Sequence, residues 1–182
     1  MPNRILLIFA HANFEHSRSN RALVRTAAQI SGVTLHDLYE TYPDFQIDVR
    51  AEQQRLLDHE VMVLQHPFHW FGSPPIIKEW MDVVLTPGWA YGQGGRALAG
   101  KALLQAISTG GNAEDYGPHG RNQYTIREFL APYERSFVIC GFRYLNPFVI
   151  HGSRRLSDLD LTTICERYAA RLNELREGND LE

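Results

Sequence analysis

The sequence lacks several features that would mark particular classes of protein. Its 182 residues include only two cysteines, Cys140 and Cys165, too few for a disulfide framework and too widely spaced for a metal motif. The formal net charge of −3 is small and its signs are mixed, which disfavours partners such as nucleic acid or a membrane surface. No apolar run is long enough to span a bilayer, and the N-terminus opens on an apolar strand rather than a signal peptide. These absences favour a reduced, cytoplasmic protein.

The common catalytic signatures are missing too. There is no G-x-x-x-x-G-K-[ST] phosphate loop and no G-x-G-x-x-G after the first apolar run, so nucleotide hydrolysis and an ordinary dehydrogenase fold are disfavoured. There is no G-x-S-x-G elbow for a hydrolase. No Asp, Glu, His or Cys residues show metal-ligand spacing, so we expect no metal.

Five apolar runs alternate with stretches of helical periodicity. The runs cover residues 4–10, 33–38, 61–65, 102–108 and 143–150, and continuous apolar runs are typical of parallel strands buried on both faces. Helical stretches cover residues 20–30, 50–58 and 124–139, and two more begin at N-caps on Ser73 and Ser157. The alternation predicts an α/β fold: a flavodoxin-like, doubly wound, five-stranded parallel sheet of order 2-1-3-4-5 with helices on both faces.

We expect one domain over residues 1–180, followed by Leu181 and Glu182, which are compatible with an expression-vector scar. Residues 39–48 are predicted as a loop, and Pro132 as a kink or a late helix start. Doubly wound sheets bind ligands at the carboxyl ends of their strands, where the winding reverses. The loops after strands one, three and four should therefore carry the function.

The loop after strand one, HANFEHSRSN at residues 11–20, ends in hydroxyls and an amide where a helix begins. A helix N-terminus offers free amides and a favourable dipole to a phosphate. The alternative is an ordinary capping loop, because Ser and Asn cap helices in many proteins. The candidate phosphate ligands are His11, Ser17, Arg18, Ser19 and Asn20.

The loop after strand three, within QHPFHWFGSPP at residues 65–75, places four rings between prolines. Rings and backbone amides at this edge suit a flat, heteroatom-rich ring system. The alternative is that the rings pack under the following helix, which we expect of at least one of Trp70 and Phe71, and that His69 is merely solvated. The candidate binding residues are Pro67, Phe68, His69, Trp70 and Phe71.

The loop after strand four is STGGNAEDYGPHG at residues 108–120. Gly110 and Gly111 let the backbone approach a ligand and present amides, which would stabilise a ring edge that gains negative charge on reduction. Tyr116 and His119 could donate a hydrogen bond to a substrate oxygen. The alternative is a flexible glycine loop. A phosphate site, an aromatic wall and a glycine platform in this order together describe a flavin site, where the cofactor supplies the hard chemistry.

At these residues the chain resembles a known family. The segment HPFHWFGSPPIIKEWMDVVL, the STGG turn and CGF before the last strand are similar to flavodoxin-like NAD(P)H:quinone oxidoreductases, over residues 5–150. DLYETYPDFQIDVRAEQ and GWAYGQGGRALAGK resemble the bacterial subgroup that accompanies glutathione-gated potassium-efflux (Kef) antiporters. Members of that subgroup are small cytoplasmic ancillary proteins with quinone reductase activity.

The resemblance implies roles for individual residues. His11 and residues 17–20 would contact the flavin phosphate and ribityl chain, and residues 68–71 the isoalloxazine ring. Tyr116 matches the active-site tyrosine, whereas the active-site histidine has no clear match, because His119 lies three residues early relative to longer relatives. The chain lacks the C-terminal extension of those relatives, which favours FMN over FAD, with NAD(P)H as co-substrate. The turn at the polar edge of the ring would be Ser108, Thr109, Gly110 and Gly111.

The resemblance also implies a homodimer with active sites at the subunit interface. Residues 42–48 and 89–96 are candidate exposed loops, and Phe45, Trp89 and Tyr91 within them would suit an interface. The alternative is that these rings pack within the monomer.

Two hypotheses come from these observations. In the first, the chain is an enzyme: NAD(P)H reduces the flavin and leaves, and a quinone takes two electrons in the same pocket, its oxygen polarised by Tyr116. In the second, it is a regulatory flavin-binding subunit that docks on the cytoplasmic domain of a Kef antiporter, peripheral to the inner membrane, with catalysis incidental. A one-electron flavodoxin carrier is disfavoured, because such carriers are usually strongly acidic whereas the formal net charge of this chain is only −3. Candidate contacts for a 2′-phosphate, none favoured by spacing, are Arg18, Arg96 and Arg121.

Overall fold

The computed structural model describes residues 1–179, so the end of the predicted domain and the Leu181–Glu182 pair lie outside the described residues. One parallel sheet has the strand order β2-β1-β3-β4-β5, and β6 also pairs with β4. The predicted order 2-1-3-4-5 is confirmed. The strands are β1 Ile5–Phe9, β2 Val33–Asp37, β3 Val61–Pro67, β4 Ala102–Ser108, β5 Arg143–Tyr144 and β6 Phe148–Ile150.

Helices cover both faces of the sheet, as predicted. Alternate strand residues point to opposite faces, so Leu6 and Ile8 belong to one core and Ile5 and Leu7 to the other. The first core is closed by α2, α3, α4 and α5, and the second by α1 and α6. Within residues 1–179, no helix is both long enough and apolar enough to cross a membrane. The helices are α1 Arg18–Ala28, α2 Leu38–Thr41, α3 Val49–Leu57, α4 Pro75–Val84, α5 Ile126–Ile139 and α6 Asp158–Glu177.

The predicted fifth strand, residues 143–150, is wrong as a single element. It is split into β5 and β6, and both pieces pair with β4. Arg143 lies opposite Ala102, an offset of 41, whereas Phe148 lies opposite Ala106, an offset of 42, so one extra residue is inserted between the two pieces. Pro147 lies in the insertion and has no N–H to give to the ladder, which explains the interruption.

Three local predictions also need correction. Residues 39–48 are not entirely loop, because the Asp37 carboxylate caps a short helix, α2, by accepting the amides of Tyr39 and Glu40. Ser73 does not cap α4, which begins at Pro75 after Pro74. Pro132 does not start a helix, because α5 begins six residues earlier.

Candidate functional site

The carboxyl ends of β1, β3, β4 and β6 open on one cleft of about 1010 Å³. The first three of these strand ends were predicted from the sequence to carry the function, and the fourth was not. The predicted site residues that line the cleft are His11, Ser17, Arg18, Ser19, Asn20, Pro67, Phe68, His69, Trp70, Ser108, Gly110 and Gly111.

The remaining predicted residues are distributed differently. Phe71 and Tyr116 line a smaller adjoining cleft of about 190 Å³, which shares Phe68, Trp70 and Gly111 with the large one. Thr109 is fully buried behind the glycine turn. His119 is exposed and lies outside both clefts.

The N-terminus of α1 opens into the large cleft. Ser17 is the N-cap residue, and among the described residues no side chain caps the first turn of this helix. The uncapped amides of that turn are therefore available, together with the helix dipole, to an anion. Ser19 is not free to contribute its hydroxyl, because it donates to the Ser153 carbonyl oxygen at 2.8 Å.

A buried chain of hydrogen bonds holds Asn20 at the floor of the cleft. The Asn20 amide nitrogen donates to the hydroxyls of Ser108 (2.9 Å) and Ser17 (3.1 Å). The Asn20 oxygen accepts from Gln65 of β3 at 3.4 Å, and the Gln65 oxygen accepts from the Tyr168 hydroxyl of α6 at 2.9 Å. Four elements of secondary structure thus fix one amide side chain.

The arginine of the first loop is directed away from the floor. Arg18 donates to the Leu156 carbonyl oxygen at 2.6 Å and forms an ion pair with Asp158 at the start of α6. Its charge is therefore partly neutralised. Two other exposed arginines, Arg121 and Arg154, line the cleft, and Arg121 lines the smaller cleft as well.

The rings of the aromatic loop differ in their exposure to solvent. Phe68 is buried, Phe71 is 44% exposed, and the Trp70 side chain is 96% exposed at the rim. Phe71 stacks on Phe129 of α5, with ring centroids 4.7 Å apart. The expectation that Trp70 or Phe71 would be buried under the following helix, α4, is therefore wrong.

The backbone of this loop is strained. Trp70 and Phe71 have φ angles of +47° and +62°, in the left-handed region that non-glycine residues rarely occupy. The loop is fixed on its far side by α5, because the Tyr133 hydroxyl accepts the Ser73 amide at 2.8 Å and donates to the Ser73 hydroxyl at 2.9 Å. That use of Ser73 is why it does not cap α4.

Two histidines meet across the cleft. The rings of His11 and His69 are 5.9 Å apart in an edge-to-face arrangement. Burial lowers the pKa of both, with smaller contributions from the facing His69 for His11 and from Arg154 for His69. Both imidazoles are therefore mainly neutral at pH 7 and act as hydrogen-bonding groups rather than charges.

The glycine turn is shaped by its neighbours. A methyl group added at Gly111 would lie 2.9 Å from Asp115 Oδ2 and 3.3 Å from the Tyr116 ring, whereas one added at Gly110 would meet no described atom within 4 Å. Gly111 is thus required so that Tyr116 can pack against the turn. Burial raises the pKa of Tyr116, so its phenol keeps its proton at neutral pH.

Four residues that line the large cleft were not predicted from the sequence: Asn13, His16, Ser153 and Arg154. Another unpredicted residue is His151, directly after β6. Its ring centroid lies 5.5 Å from that of Tyr116, and its Nδ1 lies 3.3 Å from the Thr109 hydroxyl. The signal was available, since His151 follows the last predicted strand and so falls at the same sheet edge. His119 was named instead because it lies on the same predicted loop as Tyr116.

The chemistry of this site fits a flavin mononucleotide. The uncapped first turn of α1 suits a phosphate, the polar floor suits a hydroxylated chain, and the aromatic loop with the glycine turn suits a flat ring with polar edges. Within residues 1–179, no group of three His, Cys, Asp or Glu side chains could hold a metal ion.

Comparison with known proteins agrees with the fold. The family described as having the flavodoxin-like fold matches residues 3–174. The glutathione-regulated potassium-efflux system ancillary protein KefG of Pectobacterium carotovorum subsp. carotovorum (strain PC1) is 42% identical over 167 residues, which cover 92% of this chain and 91% of that protein.

Solved structures are similar over almost their whole length. General stress protein 14 of Treponema denticola, in complex with FMN, is 36% identical, with a TM-score of 0.88 over 94% of this chain and 99% of that one. The NADPH-quinone reductase of P. pentosaceus is 27% identical, with a TM-score of 0.84 over 92% and 96%. A protein of Streptomycin violaceusniger described as a thermophilic tryptophan halogenase is 39% identical, with a TM-score of 0.89 over 92% and 97%.

The KefG match exceeds 40% identity over nine-tenths of both chains, and the family match covers all the strands that form the cleft. The predicted family is therefore confirmed. The chain belongs to the flavodoxin-like NAD(P)H:quinone oxidoreductase family, and its curated relatives include the ancillary proteins of glutathione-regulated potassium-efflux systems.

Proposed function

We propose that this chain is an FMN-dependent NAD(P)H:quinone oxidoreductase with a two-electron, ping-pong reaction. The observation that carries the proposal is the meeting of an uncapped helix N-terminus, an aromatic loop and a glycine turn in one cleft. FMN, when bound, supplies the reversible two-electron chemistry. The FMN complex of the Treponema denticola relative and the NADPH-quinone reductase of P. pentosaceus support the cofactor and the reaction.

The residues around the cleft would hold the cofactor by its two ends. The first turn of α1, with the Ser17 hydroxyl, would bind the phosphate. The Asn20 oxygen would accept a hydrogen bond from the ribityl chain, because both Asn20 amide protons are donated to Ser17 and Ser108. Residues 67–71 would flank the ring. The amides of Gly110 and Gly111 would face its polar edge, where preorganised donors stabilise negative charge that develops on reduction.

The smaller cleft would receive the second substrate. Tyr116 would donate a hydrogen bond to a quinone oxygen, a role open to a phenol whose pKa is raised by burial. Overall, NAD(P)H gives up a hydride, and the quinone takes up two electrons and two protons, one of them from solvent. Both substrates would use the space beside Trp70 and Tyr116, so they would bind in turn.

Recognition of the dinucleotide phosphates would fall to arginines. Of the three candidates from the sequence, Arg121 borders both clefts, Arg18 is held by Asp158, and Arg96 lies outside the cleft lining. Arg121 is therefore our candidate contact for a 2′-phosphate.

The first test is the visible spectrum of the purified protein after addition of FMN or, separately, FAD. We expect FMN to bind with a shifted spectrum, to bleach anaerobically with NADPH and to recover when a quinone is added. Failure of both flavins to bind, or bleaching without recovery by any quinone, would overturn the proposal. NADPH-dependent halogenation of tryptophan would instead favour the activity named for the Streptomycin violaceusniger relative.

A second candidate function is regulation of a potassium-efflux antiporter, and its specific support is the 42% identity to KefG. In that role the chain would be cytoplasmic and would reach the inner membrane through the antiporter, with catalysis incidental. The test is co-purification with the cytoplasmic domain of a Kef antiporter from the same organism, with the flavin oxidised and with it reduced. Absence of binding in both states would remove this candidate and leave the enzyme proposal intact.

A further inference from the structure

Backbone hydrogen bonds hold the segment after β6 against the glycine turn. Three backbone hydrogen bonds join residues 150–153 to the turn that follows β4, so the His151 backbone has little freedom. The bonds run from Thr109 N–H to Ile150 O (2.8 Å), from Gly152 N–H to Gly111 O (2.7 Å) and from Ser153 N–H to Thr109 O (2.9 Å).

Hydrogen bonding defines the state of the His151 ring. The Thr109 hydroxyl has one proton, and its nearest acceptor is the Gly111 carbonyl oxygen at 2.8 Å, whereas the Ile150 carbonyl oxygen is 3.5 Å away. Toward His151 Nδ1, 3.3 Å away, the same oxygen can therefore only accept. This arrangement favours the His151 tautomer that carries its proton on Nδ1 and leaves a lone pair on Nε2.

The His151 ring also contacts the candidate active-site tyrosine. The two ring centroids are 5.5 Å apart at an angle of 44°. Tyr116 also contacts the apolar rings of Phe68 and Phe129, and its phenol interacts with the Thr109 hydroxyl. His151 is thus the polar side of the Tyr116 environment among these ring contacts. The phenol faces the smaller cleft, so its orientation determines where a substrate oxygen would be bound.

We propose that His151, oriented by the buried Thr109 hydroxyl, is a positioning residue that sets the orientation of Tyr116 toward the substrate, the place that the sequence alone gave to His119. The inference rests on the proposed quinone reductase function. It names a residue on a different loop from the one that carries Tyr116, so two strand ends, those of β4 and β6, would share the task.

The charges around the pair are compatible with a neutral imidazole. Burial lowers the pKa of His151, while Glu114 and Asp115 on the neighbouring loop partly offset the shift. Arg121 and Asp115 act on Tyr116 with opposite signs. At pH 7 His151 would therefore position Tyr116 by ring contact rather than by charge.

The test is a double-mutant cycle on the FMN-loaded enzyme. His151→Ala should lower kcat/KM for the quinone by roughly tenfold or more, because a small misplacement of a catalytic group is costly. In a Tyr116→Phe background the same substitution should have almost no further effect, because its target is gone. If the losses of kcat/KM from the two substitutions were additive, the inference would be overturned. It would also be overturned if His119→Ala lowered kcat/KM and His151→Ala did not.

Conservative variants separate positioning from simple packing. Asn places an amide near the position of Nδ1 and should restore most of the quinone kcat/KM, whereas Gln places its amide near Nε2 and should not. Restoration by Leu, which fills space without a donor, would show that His151 only packs and would overturn the inference. If His151→Ala fails to fold, the Asn, Gln and Leu variants still test the inference.

A measurement without flavin or substrate keeps the inference independent of activity. Long-range proton–nitrogen NMR of the apo protein should show the His151 proton on Nδ1, and Thr109→Val should shift the tautomer while Thr109→Ser should not. A proton on Nε2 in the wild type would overturn the inference. If the wild type reduces no quinone, the proposed function fails, and the tautomer result still decides how His151 is held.

Discussion

At the scale of single residues, the candidate site depends on a few positions where only one side chain fits. Gly111 is the clearest, because an added methyl group would meet Asp115 Oδ2 at 2.9 Å and the Tyr116 ring at 3.3 Å. The Asp115 carboxylate also accepts the Asn112 amide at 2.7 Å, so it is not free to move aside. Gly110, one residue earlier, has no such neighbour among the described atoms.

Gly111→Ala should destabilise the apo protein by about 2 kcal/mol, since overpacking a constrained turn costs of this order. Gly110→Ala is the matched variant and should change the free energy of unfolding by less than about 0.5 kcal/mol. Urea unfolding of the two apo proteins measures both values. Equal destabilisation would show that the turn is not shaped by Asp115 and Tyr116.

His66 is a residue whose titration should be visible in stability. It is fully buried in β3, where Nδ1 is 3.0 Å from the Pro67 carbonyl oxygen and Nε2 is 3.1 Å from the Gln105 amide. Burial lowers its pKa to about 4, from an ordinary value of 6.5. Below pH 6.5 the unfolded chain binds a proton at His66 that the folded chain rejects, so acid favours unfolding.

We therefore expect His66 to cost the fold about 2 kcal/mol between pH 7 and pH 5, with the loss continuing until pH 4. The measurement is the free energy of unfolding against pH for the wild type and for His66→Gln, which keeps a polar group near Nε2. The difference between the two curves isolates His66 from the carboxylates. Parallel curves over this range would contradict the prediction.

At the scale of elements, the site is held by hydrogen bonds that run between secondary structures. The chain from Tyr168 of α6 through Gln65 of β3 to Asn20 of α1 joins both ends of the sequence to the floor of the cleft. Buried polar groups of this kind are costly to leave unpaired. A substitution far from the cleft should therefore weaken cofactor binding.

Tyr168→Phe removes one hydroxyl and leaves the Gln65 oxygen without that partner. We expect a loss of about 1–3 kcal/mol in stability and a several-fold weaker FMN affinity, because Asn20 loses its support. Tyr39→Phe, in α2 on the opposite face of the sheet, is the matched control and should leave FMN affinity unchanged. Fluorescence titration with FMN measures both variants. An unchanged affinity in Tyr168→Phe would show that the floor is fixed without α6.

At the scale of the whole molecule, the exposed apolar surface bears on assembly. The predicted interface rings Phe45 and Trp89 are partly buried against the core formed with α3, α4 and α5, so for these two the intramolecular alternative holds. A different group of rings lies beside the cleft: Trp70, Phe71 and Tyr124, which are exposed, and Phe129, which is partly buried. These four rings are here called the aromatic rim. Tyr124 is 55% exposed and contacts Phe129, which stacks on Phe71.

We expect the chain to form a homodimer that covers the aromatic rim, because adjoining exposed rings favour association. Sedimentation equilibrium should give the mass of two chains, and Tyr124→Arg should shift the equilibrium toward the monomer. Tyr91→Arg, in the loop at residues 89–96, should leave the dimer intact. If Tyr91→Arg dissociated the dimer and Tyr124→Arg did not, the interface would lie on the loop at residues 89–96, as the sequence indicated. A monomeric wild type would contradict both interface predictions.

Prediction from the sequence succeeded where local pattern decides structure. The buried runs that became β1, β3 and β4 were found because strands covered on both faces are apolar throughout. The predicted fifth strand was wrong as one element. Its two pieces pair with β4 in registers that differ by one residue, and that difference is visible only once the pairing with β4 is known. His151 was missed as a neighbour of Tyr116 because 35 residues separate them along the chain, and only sheet pairing brings them together.

The sequence by itself determined the fold, the strand order and the edge of the sheet where the cleft opens, since apolar periodicity and helix-capping residues are local properties of the chain. The family came from the resemblance of its loop motifs to known quinone oxidoreductases. The tertiary structure alone decided which side chains share that cleft. Arg18 turns to Asp158, Ser19 to Ser153, and His151 rather than His119 reaches Tyr116. The physical reason is that side-chain partners are selected by packing between loops that are distant in sequence, and no local pattern encodes that packing.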